Sequence, residues 1–207
     1  MRGKTVNIKL ERKEDYKEVE NLTREAFWNV YRPGCSEHLV LHKLRDAKSF
    51  INELDYVVIE DNKIIANIVY TKMYNEKGDM LNDIIAFGPI SVHPDYQRKG
   101  IGKKLIKLSL ERAKELGYKA VLITGDDKFY NPLGFEAAYK YGIALAGMSI
   151  EDKAEFFMAM ELEKGYLENC SGVYDFDKAF NVTDEELEKF ELGFPKKIKR
   201  EPRDSDL

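Results

Sequence analysis

A chain of 207 residues with 43% apolar and 34% charged side chains can bury one core and still keep a solvated surface. Its formal net charge of −4 argues against non-specific nucleic-acid binding, which needs a basic surface. No apolar run reaches membrane-spanning length, the opening MRGKTVNIKL carries no signal-like apolar stretch, and Cys35 and Cys170 form no disulfide framework, so a cytoplasmic protein with reduced thiols is expected.

Residues 5–10 read as a short edge strand. Asp15 to Tyr31 reads as a helix, with Val19, Leu22, Ala26, Phe27 and Val30 near helical spacing. Arg32-Pro33-Gly34 ends it, and Ser36 is placed to cap a second helix through about Phe50. Tyr56–Ile59, a turn at Asp61-Asn62 and Ile64–Met73 predict a β-hairpin. Ile84–Val92 is the next strand, and Gly88-Pro89 within it predicts a bulge, because proline has no N–H to give the ladder. A helix follows, with Ile101, Leu105, Leu108 and Leu116 on one side and Gly117 as its cap. Ala120–Thr124 reads as a buried strand, Lys128–Leu133 as a short helix and Phe156–Leu162 as a late strand. Beyond these, Tyr166–Phe180 admits an added edge strand and Thr183–Glu186 is a capping box. Lys196–Leu207 is so charged that a mobile tail is expected. The expected division is a domain over 1–165 and a C-terminal extension over 166–207.

The chemistry concentrates at Val92–Lys104. Two glycines, Gly100 and Gly102, stand at the mouth of a helix, where backbone N–H groups and the helix dipole together favour an anion. Arg98, Lys99, Lys103 and Lys104 crowd the same helix start, where a cation is unfavourable unless an anion binds beside it. The pattern V-x-P-x-x-Q-x-x-G-x-G resembles the acetyl-CoA signature of the GNAT superfamily of N-acetyltransferases. Tyr130-Asn131-Pro132-Leu133-Gly134-Phe135 resembles that superfamily's second signature, Y-x-x-x-G-F. The resemblance is sharp from about Ile84 to Phe135, covers only the order of elements over 5–83, and stops after about Leu162.

Runs of strands with few helices already suggest an α+β layered sheet. The resemblance implies a GNAT-like mixed, twisted central sheet with helices on both faces, whose fourth and fifth strands splay apart; these map onto 84–92 and 119–124. It implies acetyl-CoA as co-substrate, with pantetheine on the backbone of Ile90, Ser91 and Val92. Backbone and side chains of Gln97, Arg98, Lys99, Gly100, Ile101, Gly102, Lys103 and Lys104 are expected to take the phosphates, and Asn131 lies beside the second signature. It further implies direct acetyl transfer to an amine of a small molecule or protein, with Tyr130 as general acid to the departing sulfur. Asp126 is the expected base, with Asp127, Glu60, Asp83 and Glu25 open as alternatives. Many members carry an asparagine on the strand before the tyrosine. This chain has Ile123-Thr124-Gly125-Asp126 there, so either Gly125-Asp126 takes over that role or the role is missing.

Trp28, Tyr31 and Arg32 are candidate lining for the acceptor. Cys35, His38 and His42 have a metal-like spacing but no visible fourth ligand, and read as a solvated helix face, so no metal is expected. A homodimer is left open. A non-catalytic CoA-binding regulatory module is the alternative reading. A P-loop nucleotide hydrolase is a weak third reading, because there is no G-x-x-x-x-G-K-[ST] and Gly102-Lys103-Lys104 lacks the magnesium-binding hydroxyl.

Overall fold

The computed structural model describes residues 6–204 and 206. Thr5 of the expected first strand, and Ser205 and Leu207 of the expected tail, lie outside the described residues. Within them, nine strands form one sheet. Its main path runs β1 (Val6–Leu10), β2 (Tyr56–Glu60), β3 (Lys63–Asn75), β4 (Met80–Val92), β5 (Ala120–Thr124), β8 (Phe157–Glu161), β6 (Glu136–Ala137). The remaining strands, β7 (Ile143–Leu145) and β9 (Gly172–Asp175), join from the side, with β9 paired to the far end of β3 and to β7. All neighbours are antiparallel except β4 with β5 and β7 with β9, so the sheet is mixed.

Local chemistry explains several of these elements. Asp61 and Asn62 both take positive φ, 51° and 63°, which suits a two-residue hairpin turn between β2 and β3. Neighbouring strand residues face opposite ways. Val57, Ile64 and Val69 pack with Val19, Leu22, Leu41 and Leu44 of α1 (Tyr16–Phe27) and α2 (Glu37–Leu44). Val58, Ile65 and Ile68 pack with Leu105, Ile106 and Leu110 of α3 (Ile101–Glu115) on the other face. Each fully buried aliphatic side chain here contributes roughly 1.5–3 kcal/mol. Helices therefore cover both faces, as expected. The helix face differs from the expectation in one respect: Leu108 and Leu116 are exposed, and buried Ser109 takes the inward place, hydrogen-bonded to the hydroxyl of Tyr70 at 2.8 Å.

Other boundaries shift. The first helix stops at Phe27 and the second at Leu44, both short of the expected ends. Ser36 makes no side-chain cap; instead its N–H donates to the Glu37 carboxylate. The Gly88-Pro89 bulge is present: Ile68 faces Ile90 while Tyr70 faces Phe87, one extra residue on β4. The segment after 165 does not stand apart, since Leu167 and Tyr174 sit in a core cluster with β3, β4 and β5 residues. Thr183 and Glu186 form the expected capping box on α5 (Asp184–Glu191). Among the described residues, no helix is long and apolar enough to cross a membrane.

The structure corrects two expectations. Cys35 and His38 are buried rather than solvated. His38 Nε2 lies 2.7 Å from the Glu191 carboxylate, off the line of a hydrogen bond, while Arg24 grips the same carboxylate with two nitrogens. Phe190 and Phe194 flank the imidazole. Among the described residues, no three metal-ligating side chains gather. The expected mobile tail also differs: residues 195–200 hydrogen-bond to α1 and to the loop after it.

Burial pushes the His38 imidazole down to about 4, against the opposing pull of Glu191. Neutral His38 is thus folded-state preferred, while the unfolded chain protonates near pH 6.5. The stability this group contributes is full above pH 6.5 and is lost as pH falls from 6.5 to 4, by on the order of 3 kcal/mol. Thermal unfolding across that range should slope less steeply in His38→Gln than in the parent, whatever the absolute level.

Candidate active site

The site begins where a pairing ends. β4 and β5 run parallel and pair only at Ile84–Ala120, Ile85–Val121 and Ala86–Leu122. Beyond Ala86, β4 continues to Val92 with β3 on one side and no strand on the other. A wedge opens between Phe87–Val92 and the chain leaving β5, which is the splay expected of these strands. Unpaired strand edge is a template for an extended, hydrogen-bonding ligand.

Residues 90–92 are not equivalent within that edge. His93 N–H donates to Ile65 of β3, so by strand alternation Ser91 also turns its backbone to β3, and Ile90 and Val92 face the wedge. The Ser91 hydroxyl points into the α1 side, where it donates to Thr23. Ser91 therefore offers the wedge neither backbone nor side chain, contrary to expectation. The carbonyl of Val92 accepts from Gln97 Nε2 at 3.0 Å.

The glycine turn stands at the mouth of the wedge. Gly100 is the N-cap of α3, with φ 79°. A Cβ there would meet nothing within 4 Å, so open space lies above it. The N–H groups of residues 98–103 donate to no acceptor among the described residues, and the first bond into the helix is Lys104 N–H to the Gly100 carbonyl. Gln97 leaves the cradle, since its N–H is spent on Pro94. Lys99 turns back to the Asp95 carbonyl, 2.6 Å away, with its ammonium near the Tyr96 ring. Arg98, Lys103 and Lys104 remain exposed around the turn, and Lys103 sits 5.6 Å from the ring centre of Phe129.

Tyr130 closes the inner end. It is the last residue of α4 (Asp127–Tyr130), packed among Phe87, Phe129 and Phe135 with ring centres 4.9–5.9 Å apart. Its hydroxyl has no hydrogen-bond partner among the described residues. Burial, helped by the nearby Tyr31 phenol, pushes its pKa well above the ordinary 10. The Cε2 side of the ring packs against Gly125, where a Cβ would come within 2.4 Å of it. This is the reason for glycine at 125. Gly125 also gives its N–H to the Phe156 carbonyl, so that N–H is not available for the role that Gly125-Asp126 would take over.

The carboxylates sort by what already holds them. Asp126 is exposed and accepts from Lys128 N–H as the cap of α4. Glu25 pairs with Lys197, and Asp83 accepts from the Tyr166 hydroxyl on the paired part of β4. Glu60 lies opposite Val6 at the far edge of the sheet. Sequence reasoning passed over Glu37. This half-buried carboxylate at the start of α2 has its pKa raised by burial. The Tyr31 phenol is raised by burial first and then by the charges of Glu37 and Asp126. No periodicity or spacing marks Glu37: its partners Ser36 and Arg32 are local, and only its burial, which folding decides, sets it apart. Of the residues expected to line the acceptor, Tyr31 is exposed and lies near Phe27, while the Trp28 indole N–H donates to Ile198 in the C-terminal segment. Asn131 is exposed beside Tyr130. Two other clefts, of about 800 and 460 Å³, lie against α5 and contain neither Tyr130 nor residues 98–103.

The profile of the acetyltransferase (GNAT) family matches residues 16–135. An uncharacterised N-acetyltransferase of Escherichia coli, YhbS, is 24% identical over 163 residues, 79% of this chain and 91% of that protein. The crystal structure of E. coli YhbS in complex with CoA superposes with a TM-score of 0.76 at 22% identity, covering 88% of this chain and 95% of that one. A GNAT family acetyltransferase of Brucella melitensis, solved with acetyl-CoA, gives a TM-score of 0.68 at 24% identity, covering 86% and 99%.

Gly125→Ala should force the Tyr130 ring to move and lower stability by about 1–3 kcal/mol, the usual range for overpacking. Thermal unfolding would check this; an unchanged midpoint would mean the ring has room to yield.

Proposed function

The chain belongs to the acetyltransferase (GNAT) family, and we propose on that footing that it is an acetyl-CoA-dependent N-acetyltransferase acting directly on an amine of a small molecule or protein. The observation that carries this is the open wedge past Ala86 and Leu122, with free N–H groups at its mouth and an unpartnered tyrosine hydroxyl at its inner end. Relatives of the same fold, crystallised with CoA and acetyl-CoA, support it.

The residues fit the ligand's parts. The backbone of Ile90 and Val92 offers the pantetheine arm a strand edge, with the Val92 carbonyl shared with Gln97. N–H groups of 98–103 and the α3 dipole favour the phosphates. Arg98, Lys103 and Lys104 add positive charge, and the bound anion relieves their own repulsion with the helix start. Acetyl-CoA supplies an acetyl group already activated as a thioester.

Two protons must then be managed. An amine near pKa 10 has to lose one before it attacks. Glu37 is better suited than exposed Asp126 to receive it, because burial raises its basicity, although each carboxylate also accepts a backbone N–H. The departing sulfur needs a donor. A thiol ordinarily titrates near 8.5, below the raised Tyr130 phenol, so full transfer from Tyr130 runs uphill. Tyr130 therefore acts by donating a hydrogen bond to the developing thiolate, in a water-poor aromatic pocket that strengthens the interaction.

Gly102→Val tests the anion cradle. A Cβ at 102 would sit 3.5 Å from Val92, an ordinary contact, so the fold should survive. CoA affinity by calorimetry should fall at least about tenfold as the branched side chain crowds the phosphates. Retained affinity would move the cofactor site elsewhere.

Tyr130→Phe tests the chemistry. Thiol release from acetyl-CoA would be followed with a polyamine, an aminoglycoside and a peptide with a free N-terminus as acceptors. Turnover in the variant should drop on the order of tenfold to a thousandfold with CoA binding intact. Equal turnover across pH would make Tyr130 a packing residue. CoA binding with no release to any amine would favour the regulatory-module reading.

A further inference from the structure

The loop from Trp28 to Ser36 joins α1 to α2 and carries Tyr31, whose phenol acts electrostatically on that of Tyr130. It is closed on itself by one residue. Asn29, with φ 64°, donates its N–H to the Gly34 carbonyl at 2.8 Å and accepts the Gly34 N–H on Oδ1 at 2.9 Å. Its other groups all turn to the C-terminal segment. Asn29 Nδ2 donates to the Ile198 carbonyl at 3.1 Å, Oδ1 also accepts from Arg200 N–H at 3.1 Å, and the Asn29 carbonyl accepts from Arg200 Nε at 2.9 Å.

Further ties run along both sides. Trp28 Nε1 donates to the same Ile198 carbonyl at 3.0 Å. Lys197 pairs with Glu25 at 2.7 Å, and the alkyl chain of Lys199 lies over Gly34, 3.2 Å from where a Cβ would be. Upstream, Arg24 binds both Glu191 and the Pro195 carbonyl, and downstream the Arg200 guanidinium is pinned by Asp206. The segment touches neither Tyr130 nor the glycine turn. A loop with so few buried apolar side chains would otherwise open locally at little cost.

We propose that Pro195–Arg200 is a positioning strap that fixes the α1–α2 loop, with Asn29 and Arg200 as its central pair, and so sets where Tyr31 stands relative to Tyr130. This rests on reading the wedge at Tyr130 as the transfer site. On that reading the C-terminal segment, although outside the part of the chain that matches the family, helps to shape the acceptor wall. Asn29 and Arg200 are then positioning residues that act through the loop.

The test needs no acceptor. Arg200→Ala and Asn29→Gly, in the full chain, would be compared with the parent by three readouts. Amide hydrogen exchange over 28–36 should quicken by roughly tenfold or more, as expected for losing one or two hydrogen bonds. Trp28 is the single tryptophan, so its fluorescence should become more open to acrylamide quenching. In protein labelled with fluorotyrosine, the Tyr31 and Tyr130 signals, assigned by Tyr31→Phe and Tyr130→Phe, should shift while other tyrosines stay. Exchange in α3 and CoA affinity should remain within about twofold in the variants.

Unchanged loop exchange and unchanged Tyr31 signals in Arg200→Ala would overturn the strap. So would faster exchange throughout the domain with CoA affinity lost alongside, which would make the segment a general stabiliser. If Asn29→Gly fails to fold, Arg200→Ala alone decides. Failure of the parent to bind CoA would overturn the transferase reading instead, and loop exchange would still score the strap.

Discussion

The parting of β4 from β5 is the constraint on which the site depends. Three residue pairs hold the strands together, and both strands then continue without each other. Backbone groups left unpaired in a protein interior are expensive, so such an edge persists only where a ligand or water serves them. The bulge at Gly88-Pro89 lies at the start of this unpaired stretch, where proline gives no N–H and the ladder with β3 slips by one residue. The same parting lets the chain after β5 fold back as α4 and set Tyr130 beside Phe87.

Two glycines then do different work at the two ends of the wedge. Gly100 supplies a left-handed turn that starts α3 with its N–H groups bare. Gly125 supplies absence of bulk, so that the Tyr130 ring can lie on the backbone. The cations around the first turn and the raised phenol at the inner end are both unfavourable for the protein alone. Each becomes favourable with the proposed ligand: phosphate beside the cations, and a developing thiolate beside the phenol. Such local conflicts are what functional sites store.

The C-terminal extension brings a second polar system to the back of α1 and α2. Arg24 and His38 are buried and share the Glu191 carboxylate, which only α5 can deliver. Burying an arginine requires a partner of this kind, so α5 is bound to the domain by charge as well as by Phe190 and Phe194. The strap at 195–200 continues directly from that anchor. One run of chain thus links the buried Arg24–Glu191 pair to the loop that follows α1.

What the sequence determined by itself was short-range. The glycine turn, the hairpin at Asp61-Asn62, the bulge at Gly88-Pro89 and the capping box at Thr183 are each written within a few neighbouring residues, so propensity and spacing suffice to read them. The two signatures, 30 residues apart, were legible as a family pattern, and with them the splayed sheet. Tertiary structure alone decided the rest. Leu108 and Leu116 match helical spacing yet face solvent, while Ser109 is buried, because Tyr70 from β3 offers its hydroxyl a partner. His38 and Cys35 looked solvated because Glu191, Phe190 and Phe194 lie over 150 positions later in the chain. Glu37 carried no signal because its burial is set only on folding, and the charged tail read as mobile because its partners lie far away in sequence. Charge composition says that a segment prefers water, but it does not say which carbonyl, carboxylate or loop will be waiting when the chain has folded.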